Sequence, residues 1–139
     1  MKPWVVDASV AAKWFLPEPG AAAALRLLDG RHRLAAPDLI RAEIGNIAWK
    51  LHARGALDAN EASNMIEHFL SMPLEIHDST YLLVPALQIA VATHRTVYDS
   101  LYVALAMELG GTVVTADERW INALQGSPFA RFMRLLDGR

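Results

Sequence analysis

Residues 96–117, TVYDSLYVALAMELGGTVVTAD, decide the fold class of this chain. After its first turn the stretch over 96–111 is apolar at almost every position, which predicts a buried helix that ends at Gly110 and Gly111. The apolar run that follows predicts a buried strand and ends in Asp117. A helix followed directly by a continuously apolar strand is typical of a parallel sheet with both faces covered by helices.

The rest of the chain repeats this alternation of strands and helices. Strands are predicted over residues 3–7, 33–36, 74–77, 112–117 and 130–136. Helices are predicted over residues 8–16, 21–30, 39–55, 58–72, 79–95, 96–111 and 118–126. We therefore expect a three-layer α/β/α architecture, with a central, mainly parallel sheet and helices on both faces, in a single domain over residues 1–139.

Local signals set several of the expected helix ends. Ser9 is expected to be the N-cap of the first helix, which stops before Pro17. Asp58 and Glu61 have the spacing of a capping box. Pro85 would kink its helix if it fell inside it.

Composition excludes several classes of protein. The chain has no cysteine, which excludes disulfides, thiolate metal sites and a thiol nucleophile. Its apolar fraction is 53% and its mean hydropathy is +0.20, yet no apolar run reaches the ~18 residues that span a bilayer. No apolar signal stretch precedes the first acid, so we expect a cytoplasmic protein with no membrane association. We assign the surplus apolar surface to a protein partner or a self-interface.

The charged residues give no general sign of nucleic-acid binding, because the net charge is −2. Lysine is present only as Lys2, Lys13 and Lys50. The basic residues that could contact phosphate are therefore mostly arginines, which the sequence does not rank: Arg26, Arg31, Arg33, Arg41, Arg95 and Arg119.

Other catalytic classes lack their motifs. The five histidines form no pair three or four residues apart, which disfavours a zinc hydrolase. A haloacid-dehalogenase-like phosphatase would have a second acid at the position of Ser9, and a response-regulator receiver would have a lysine after Lys50. There is also no glycine-rich phosphate loop.

Three acids occupy positions near the predicted sheet edge. Asp7 and Asp117 each follow an apolar strand, and Asp99 lies in the first turn of a helix. The carboxyl ends of parallel strands form the ligand-binding edge of such sheets. Each acid also has a local explanation, because aspartate caps helices and is favoured near their N-termini. Both interpretations stay open for each acid taken alone.

Glu43 is harder to explain locally, although it could lie at the border of the apolar stripe or pair with an arginine. Its spacing from Leu39, Ile40 and Ile47 places it on the apolar stripe of its helix. If it meets the other acids, two charges at ~5 Å and an effective dielectric of about 20 repel by roughly 3 kcal/mol. Such a cluster needs a cation or bound protons. Because every ligand is an oxygen, Mg²⁺ or Mn²⁺ is expected, with phosphodiester hydrolysis as the chemistry.

Four segments carry a resemblance to a known family. VVDASVAAKWFL (5–16), LAAPDLIRAEIGNIAWKL (34–51), VYDSLYVALAMELGGTVVTAD (97–117) and ERW (118–120) resemble the PIN-domain family, specifically VapC-type ribonucleases of toxin–antitoxin pairs. The motifs stand in family order and cover nearly the whole chain.

The resemblance implies a PIN-like fold and an acidic catalytic pocket of Asp7, Glu43, Asp99 and Asp117, with Mg²⁺ or Mn²⁺ as cofactor. The three aspartates would be the nearer metal ligands. Glu43 would complete the shell, directly or through water, and would position or deprotonate the attacking water.

Two hydroxyl residues match family positions beside these acids. Ser9 and Thr115 could support the site, or could serve only as a helix N-cap and a strand-end turn. Some relatives have a further acid after the last motif, where this chain has Asn122, although Glu118 follows Asp117 directly. Whether one or two ions bind therefore stays open.

The resemblance also implies an RNA substrate, single-stranded or structured, a homodimer, and a VapB-type antitoxin that inserts a segment into the groove. Trp14, Phe15 and Trp49 fit such an interface and fit the core equally well. The alternative is a catalytically weak PIN-like module with a binding or regulatory role.

Overall fold

Five parallel strands form the centre of the fold in the computed structural model, which describes residues 1–137. The strands are β1 (Trp4–Val6), β2 (Leu34–Pro37), β3 (Glu75–His77), β4 (Thr112–Thr115) and β5 (Met133–Leu135). Their order across the sheet is β3-β2-β1-β4-β5, and every neighbouring pair is parallel. The three-layer α/β/α prediction is confirmed, whereas residues 138 and 139 of the expected domain lie outside the described residues.

Helices cover the sheet, as expected from its continuously apolar strands. They are α1 (Ala8–Ala11), α2 (Ala21–Arg26), α3 (Leu39–Ala53), α4 (Ala59–Leu70), α5 (Leu83–Thr93), α6 (Val97–Leu109) and α7 (Glu118–Leu124). Short 3₁₀ turns lie at Ala12–Trp14, Thr80–Leu82 and Ala130–Phe132. In residues 1–137 no helix is long and apolar enough to span a membrane.

The first two helices are shorter than predicted. Ser9 is not the N-cap of α1, because the Asp7 side chain accepts the Val10 N–H and takes that role. The helix continues only as a 3₁₀ turn from Ala12. The predicted end of α2 at Gly30 is also wrong, since the chain already tightens into i→i+3 turns after Arg26.

The later boundaries are closer to the predictions. Asp58 and Glu61 form the predicted capping box, with reciprocal bonds of 2.8 and 2.9 Å. Pro85 lies in the first turn of α5, where a missing N–H removes no intrahelical bond, so the conditional kink does not arise. The last strand begins only at Met133, because residues 130–132 form a 3₁₀ turn.

Helix α6 is the central helix of the core, which explains its apolar sequence. It packs against α5 on one side and against β1, β2 and β4 on the other, and every residue from Ser100 to Ala106 is buried. Gly110 ends it in the left-handed conformation, with φ +67°. A Cβ at Gly111 would collide with the carbonyl oxygen of Pro3, so glycine lets β4 start beside β1.

Candidate active site

The four selected acids line one cleft at the carboxyl ends of β1 and β4. The cleft has a volume of about 290 Å³. Asp7 and Asp117 reach it from the two strand ends, Glu43 from α3 and Asp99 from α6. The expected meeting of these acids is therefore present in the folded chain. The other lining residues are Ala8, Ser9, Asn46, Ile47, Lys50, Tyr102 and Trp120.

Asp7 is the most buried of the four acids, with 7% of its surface exposed. Its Oδ1 accepts the Val10 N–H at 3.0 Å and the Ser9 hydroxyl at 2.7 Å, and its Oδ2 accepts the Thr115 hydroxyl at 2.5 Å. Burial raises the pKa of the Asp7 carboxyl to about 6. The hydrogen bonds oppose this shift and the nearby charge of Asp117 adds to it. Asp7 is thus a helix cap held in the wall of an acidic cleft.

Ser9 and Thr115 connect the two strand ends. The Ser9 hydroxyl, which donates to Asp7, accepts the Ala116 N–H at 3.1 Å. The Thr115 hydroxyl also donates to Asp7 and accepts the Asp117 N–H at 3.0 Å. Each hydroxyl therefore positions the Asp7 carboxylate against the backbone that leaves β4.

Asp117 also caps a helix, as Asp7 does, and its side chain is much more exposed to water. Its Oδ1 accepts the Trp120 N–H at 3.1 Å and caps α7. Its side chain is 44% exposed, and its Oδ2 lies 3.7 Å from Arg95 Nη2. The capping interpretation thus holds for Asp7 and Asp117, and it accounts for only part of each carboxylate.

Glu43 flanks the apolar stripe of α3 and does not lie within it. The buried stripe consists of Ile40, Ile44, Ala48 and Leu51, and Glu43 beside it is half-buried. Its Oε1 accepts the Tyr102 hydroxyl at 2.5 Å. Burial raises the pKa of Glu43, and the charges of Asp7 and Asp99 raise it further. Burial and the Glu43 charge raise the pKa of Tyr102 well above 10, which keeps the phenol protonated as a donor.

Asp99 lies at the mouth of α6 and is paired with an arginine. Its backbone N–H donates to the Thr96 hydroxyl, the N-cap of α6, at 3.1 Å. Arg95 donates to Asp99 Oδ2 from Nη2 at 2.9 Å and from Nε at 3.2 Å. Burial raises the pKa of Asp99, Arg95 opposes this, and the charge of Asp117 adds to the increase.

The chemistry of the donors fits a hard divalent cation. All four groups are carboxylates, and mutual repulsion contributes to the raised pKa values of Asp7, Glu43 and Asp99. Within residues 1–137, however, no three His, Asp or Glu side chains are arranged to hold one ion. Arg95 occupies one oxygen of Asp99, so the carboxylates would have to close on an ion by side-chain movement.

Several other predicted residues lie away from the cleft wall. Asn122 and Glu118 do not line it, and Trp120 of the same helix does. Of the six candidate arginines, Arg95 contacts its acids, while Arg33 is paired with Glu75 at 2.7 Å. None of the six lines the cleft itself.

The three aromatic residues proposed for an interface have different environments. Trp14 is a core residue whose Nε1 donates to the Ala24 carbonyl. Phe15 is half-buried in the wall of a separate cleft beside α4, and Trp49 is 61% exposed on α3.

Sequence reasoning missed the partners of the acids. Tyr102 and Arg95 lie three residues after and four residues before Asp99. The three-residue spacing of Asp99 and Tyr102 places both side chains on one face of α6 and so contained a usable signal, whereas Arg95 precedes the N-cap Thr96 and lies outside that helix. Lys50 follows Glu43 by seven residues, two helical turns along α3, and also reaches the cleft.

Comparison with known proteins identifies the family of this chain. A family model described as PIN domain matches residues 4–124. Ribonuclease VapC3 of Pyrobaculum aerophilum is 38% identical over 117 residues, which cover 83% of this chain and 89% of that protein. The chain therefore belongs to the PIN-domain family, among its VapC-type ribonucleases.

Solved structures share the fold. The crystal structure of PAE2754 from Pyrobaculum aerophilum gives a TM-score of 0.73 at 25% identity, covering 98% of this chain and 85% of that one. A VapBC2 structure from Rickettsia felis, bound to a DNA fragment from its promoter, gives a TM-score of 0.65 at 16% identity, with coverage of 95% and 97%. The second similarity concerns the fold alone.

Proposed function

We propose that this chain is a metal-dependent endoribonuclease that hydrolyses RNA phosphodiester bonds and is the toxin of a toxin–antitoxin pair. The observation that carries the proposal is the meeting of four carboxylates from distant parts of the sequence in one cleft. Membership among VapC-type ribonucleases supports RNA as the substrate. The cofactor is Mg²⁺ or Mn²⁺, because all the donors are carboxylate oxygens.

The four acids have different tasks in this proposal. Asp7, Asp99 and Asp117 would hold the ion. Glu43 would complete its shell directly or through water, and its carboxylate would accept a proton from the attacking water. The raised pKa of Glu43 suits a proton acceptor at neutral pH, and the Tyr102 hydroxyl fixes its orientation.

The hydrolysis joins a water oxygen to phosphorus and breaks the bond from phosphorus to the leaving ribose oxygen, which takes up a proton from solvent. When bound, a divalent ion lowers the pKa of water and offsets negative charge on the phosphate and leaving group. Ser9 and Thr115 contribute by holding Asp7 in place, and each is therefore a positioning residue. The proposal leaves the number of ions open.

Cleavage of total RNA by the purified protein tests this function. The reaction is run with Mg²⁺, with Mn²⁺ and with chelator, beside the Asp99→Asn variant. Discrete products that require metal and disappear in the variant are expected. Intact RNA in every reaction, from protein shown to be free of antitoxin, would overturn the proposal.

A catalytically weak module is the second candidate, favoured by the ion pair of Arg95 with Asp99. An inert module would leave growth unaffected when the chain is expressed. The toxin predicts inhibited growth that Asp99→Asn relieves. The same pair of strains therefore separates the two candidates.

We assign the antitoxin to the cleft between the first helical turns and α4. Its volume is about 370 Å³, and its apolar wall includes Phe15, Leu16, Leu57 and Met65. A segment bound there would cover half-buried apolar side chains that the folded chain leaves open to water. Phe15→Ser is expected to weaken antitoxin binding, and RNA cleavage by the free variant is expected to persist.

We assign the homodimer interface to the exposed face of α5. Val84, Leu87 and Val91 are 68%, 54% and 70% exposed and follow one helical stripe. Leu87→Glu should convert a dimer to a monomer in light scattering. The cytoplasmic location expected from the sequence remains a prediction.

A further inference from the structure

A second groove continues from the acidic cleft between α1 and α3. Its volume is about 270 Å³, and we call it the α1–α3 groove; the lining residues that matter here are Lys13, Lys50, Leu51 and Arg54. Three residues line both spaces: Ser9, Ile47 and Lys50. An extended ligand that leaves the acidic cleft over Lys50 therefore enters this groove directly.

The charge of the groove is opposite to that of the cleft. Lys13, Lys50 and Arg54 line it, with Glu18 as the single acid among its lining residues. Lys13 lies 3.8 Å from Glu18, whereas Lys50 and Arg54 are exposed and have no ion-pair partner within residues 1–137. Two cations are therefore available to a ligand, in a chain whose net charge is −2.

The geometry of α3 aligns these cations with the candidate catalytic acid. Lys50 follows Glu43 by seven residues, and Arg54, the C-cap of α3, follows it by eleven, so helical periodicity places both within about 20° of the direction of Glu43. At 1.5 Å per residue they lie roughly 10 and 16 Å along the helix from Glu43. The charge along this side of α3 thus changes from negative at Glu43, in the cleft, to positive at Lys50 and Arg54, along the groove.

Binding of RNA in an acidic cleft requires positive charge nearby to offset the repulsion of its phosphates. The phosphates that flank the scissile bond would be repelled by the four carboxylates, and basic side chains supply most of the affinity for a phosphate backbone. The nearest arginine, Arg95, is already paired with Asp99 and lies near Asp117. Within residues 1–137, Lys50 and Arg54 of the α1–α3 groove have no such ion-pair partner.

We propose that the α1–α3 groove binds the phosphate backbone of single-stranded RNA on one side of the scissile bond, through Lys50 and Arg54. The inference rests on the proposed ribonuclease function and adds a path for the substrate. Lys13, held by Glu18, forms the opposite wall of that path.

Equilibrium binding of a short, fluorescein-labelled single-stranded RNA in chelator tests the path, over a series of KCl concentrations. The double variant Lys50→Ala/Arg54→Ala is expected to bind about tenfold more weakly at low salt. Its slope of log Kd against log salt should fall by about 1.4, since each lost contact to a single strand removes about 0.7. Both side chains are exposed, so the melting temperature should not change.

The matched control is Lys2→Ala/Arg131→Ala, which also removes one lysine and one arginine from exposed sites outside both spaces. It should bind RNA like the wild type. Equal weakening in both double variants, or none in either, would overturn the path. Unchanged RNA binding with weakened antitoxin binding would overturn it in favour of a protein ligand.

Failure of the proposed function itself gives a different result. In that case the wild type neither binds the labelled RNA nor cuts RNA with Mn²⁺, and both inferences fall together. A wild type that cuts RNA and a groove variant that binds it normally would remove the path alone.

Discussion

The ends of β1 and β4 use the same local pattern in different surroundings. Each strand is followed by an aspartate that caps the next helix, and each aspartate is linked to a hydroxyl two residues away. Asp7 is 7% exposed, and the side chain of Asp117 is 44% exposed. Burial raises the pKa of Asp7 to about 6, so Asp7 is held ionised at neutral pH at a cost to folding.

The difference in burial indicates that Asp7 and Asp117 differ in conformational freedom within the cleft. Two hydroxyls fix Asp7, which has a single arrangement before any ligand arrives. Asp117 is exposed beside Arg95 and has room to adjust. We therefore expect a rigid ligand at the end of β1 and an adaptable one at the end of β4.

Replacing each acid by asparagine should give the largest contrast, in RNA cleavage. Asparagine caps helices as well as aspartate does, so both variants should fold. Asp7→Asn is expected to lower kcat/KM on the order of a thousandfold, because loss of a partner outside the metal shell already costs roughly 10–100-fold. Asp117→Asn should lose about tenfold. Equal losses would remove the distinction between rigid and adaptable ligands.

The next largest effect is the pH dependence that Asp7 gives to the free energy of unfolding of the metal-free protein. The Asp7 pKa is about 6 when folded and 3.8 ordinarily, so the folded state holds this proton more tightly. The stabilisation is therefore complete below about pH 4 and is lost as the pH rises through 6. The shift corresponds to about 3 kcal/mol. Urea unfolding in chelator should show this decrease in the wild type and a flatter profile in Asp7→Asn; parallel profiles would contradict it.

Removing the more buried of the two hydroxyls that bond Asp7 should cost more stability than removing the less buried one. Thr115 is fully buried, and Thr115→Val leaves Asp7 Oδ2 and the Asp117 N–H without this partner. The free energy of unfolding should fall by about 2 kcal/mol. Ser9 is half-buried, so Ser9→Ala should cost about 1 kcal/mol. Chemical denaturation measures both, and a larger loss for Ser9→Ala would contradict the account.

Removing Arg95 should give the smallest effect, at the adaptable side of the cleft. Arg95→Gln takes away a cation that would compete with a bound metal ion for Asp99 and Asp117. Partly exposed ion pairs contribute up to about 1 kcal/mol, so Mn²⁺ should bind up to about fivefold more tightly. Calorimetric titration measures this, with the exposed Arg41→Gln as control. Weaker Mn²⁺ binding in Arg95→Gln would assign Arg95 a supporting role.

The sequence predicted the features that depend on neighbouring residues. Apolar runs gave the strands, and the acids that follow them necessarily lie at the sheet edge. The strand order and the Thr115–Asp7 bond, which joins residues 108 positions apart, depend on tertiary packing. Local patterns therefore indicated which aspartates lie at the sheet edge, and they could not indicate how each is held; the meeting of all four acids was implied by the family resemblance.

Two differences between the predicted and observed positions have the same physical origin. Ser9 has the residue type of an N-cap, but Asp7 precedes α1 in extended conformation and accepts the Val10 N–H. The Ser9 hydroxyl bonds across to the strand end beyond β4. Glu43 matched the apolar spacing of α3 and lies at its edge, because the buried stripe follows Ile40 and Ile44. In both cases a nearby residue takes the predicted position: Asp7 caps α1 in place of Ser9, and Ile44 lies in the buried stripe in place of Glu43.

Thermal unfolding with and without Mn²⁺ tests most directly whether the acids form a metal site. A ligand that binds only the folded state at one hundred times its Kd adds about 2.7 kcal/mol. The wild type should therefore melt several degrees higher with Mn²⁺, and Asp7→Asn should show almost no increase. An unchanged melting temperature of the wild type at millimolar Mn²⁺ would contradict the assignment of the cleft as a metal site.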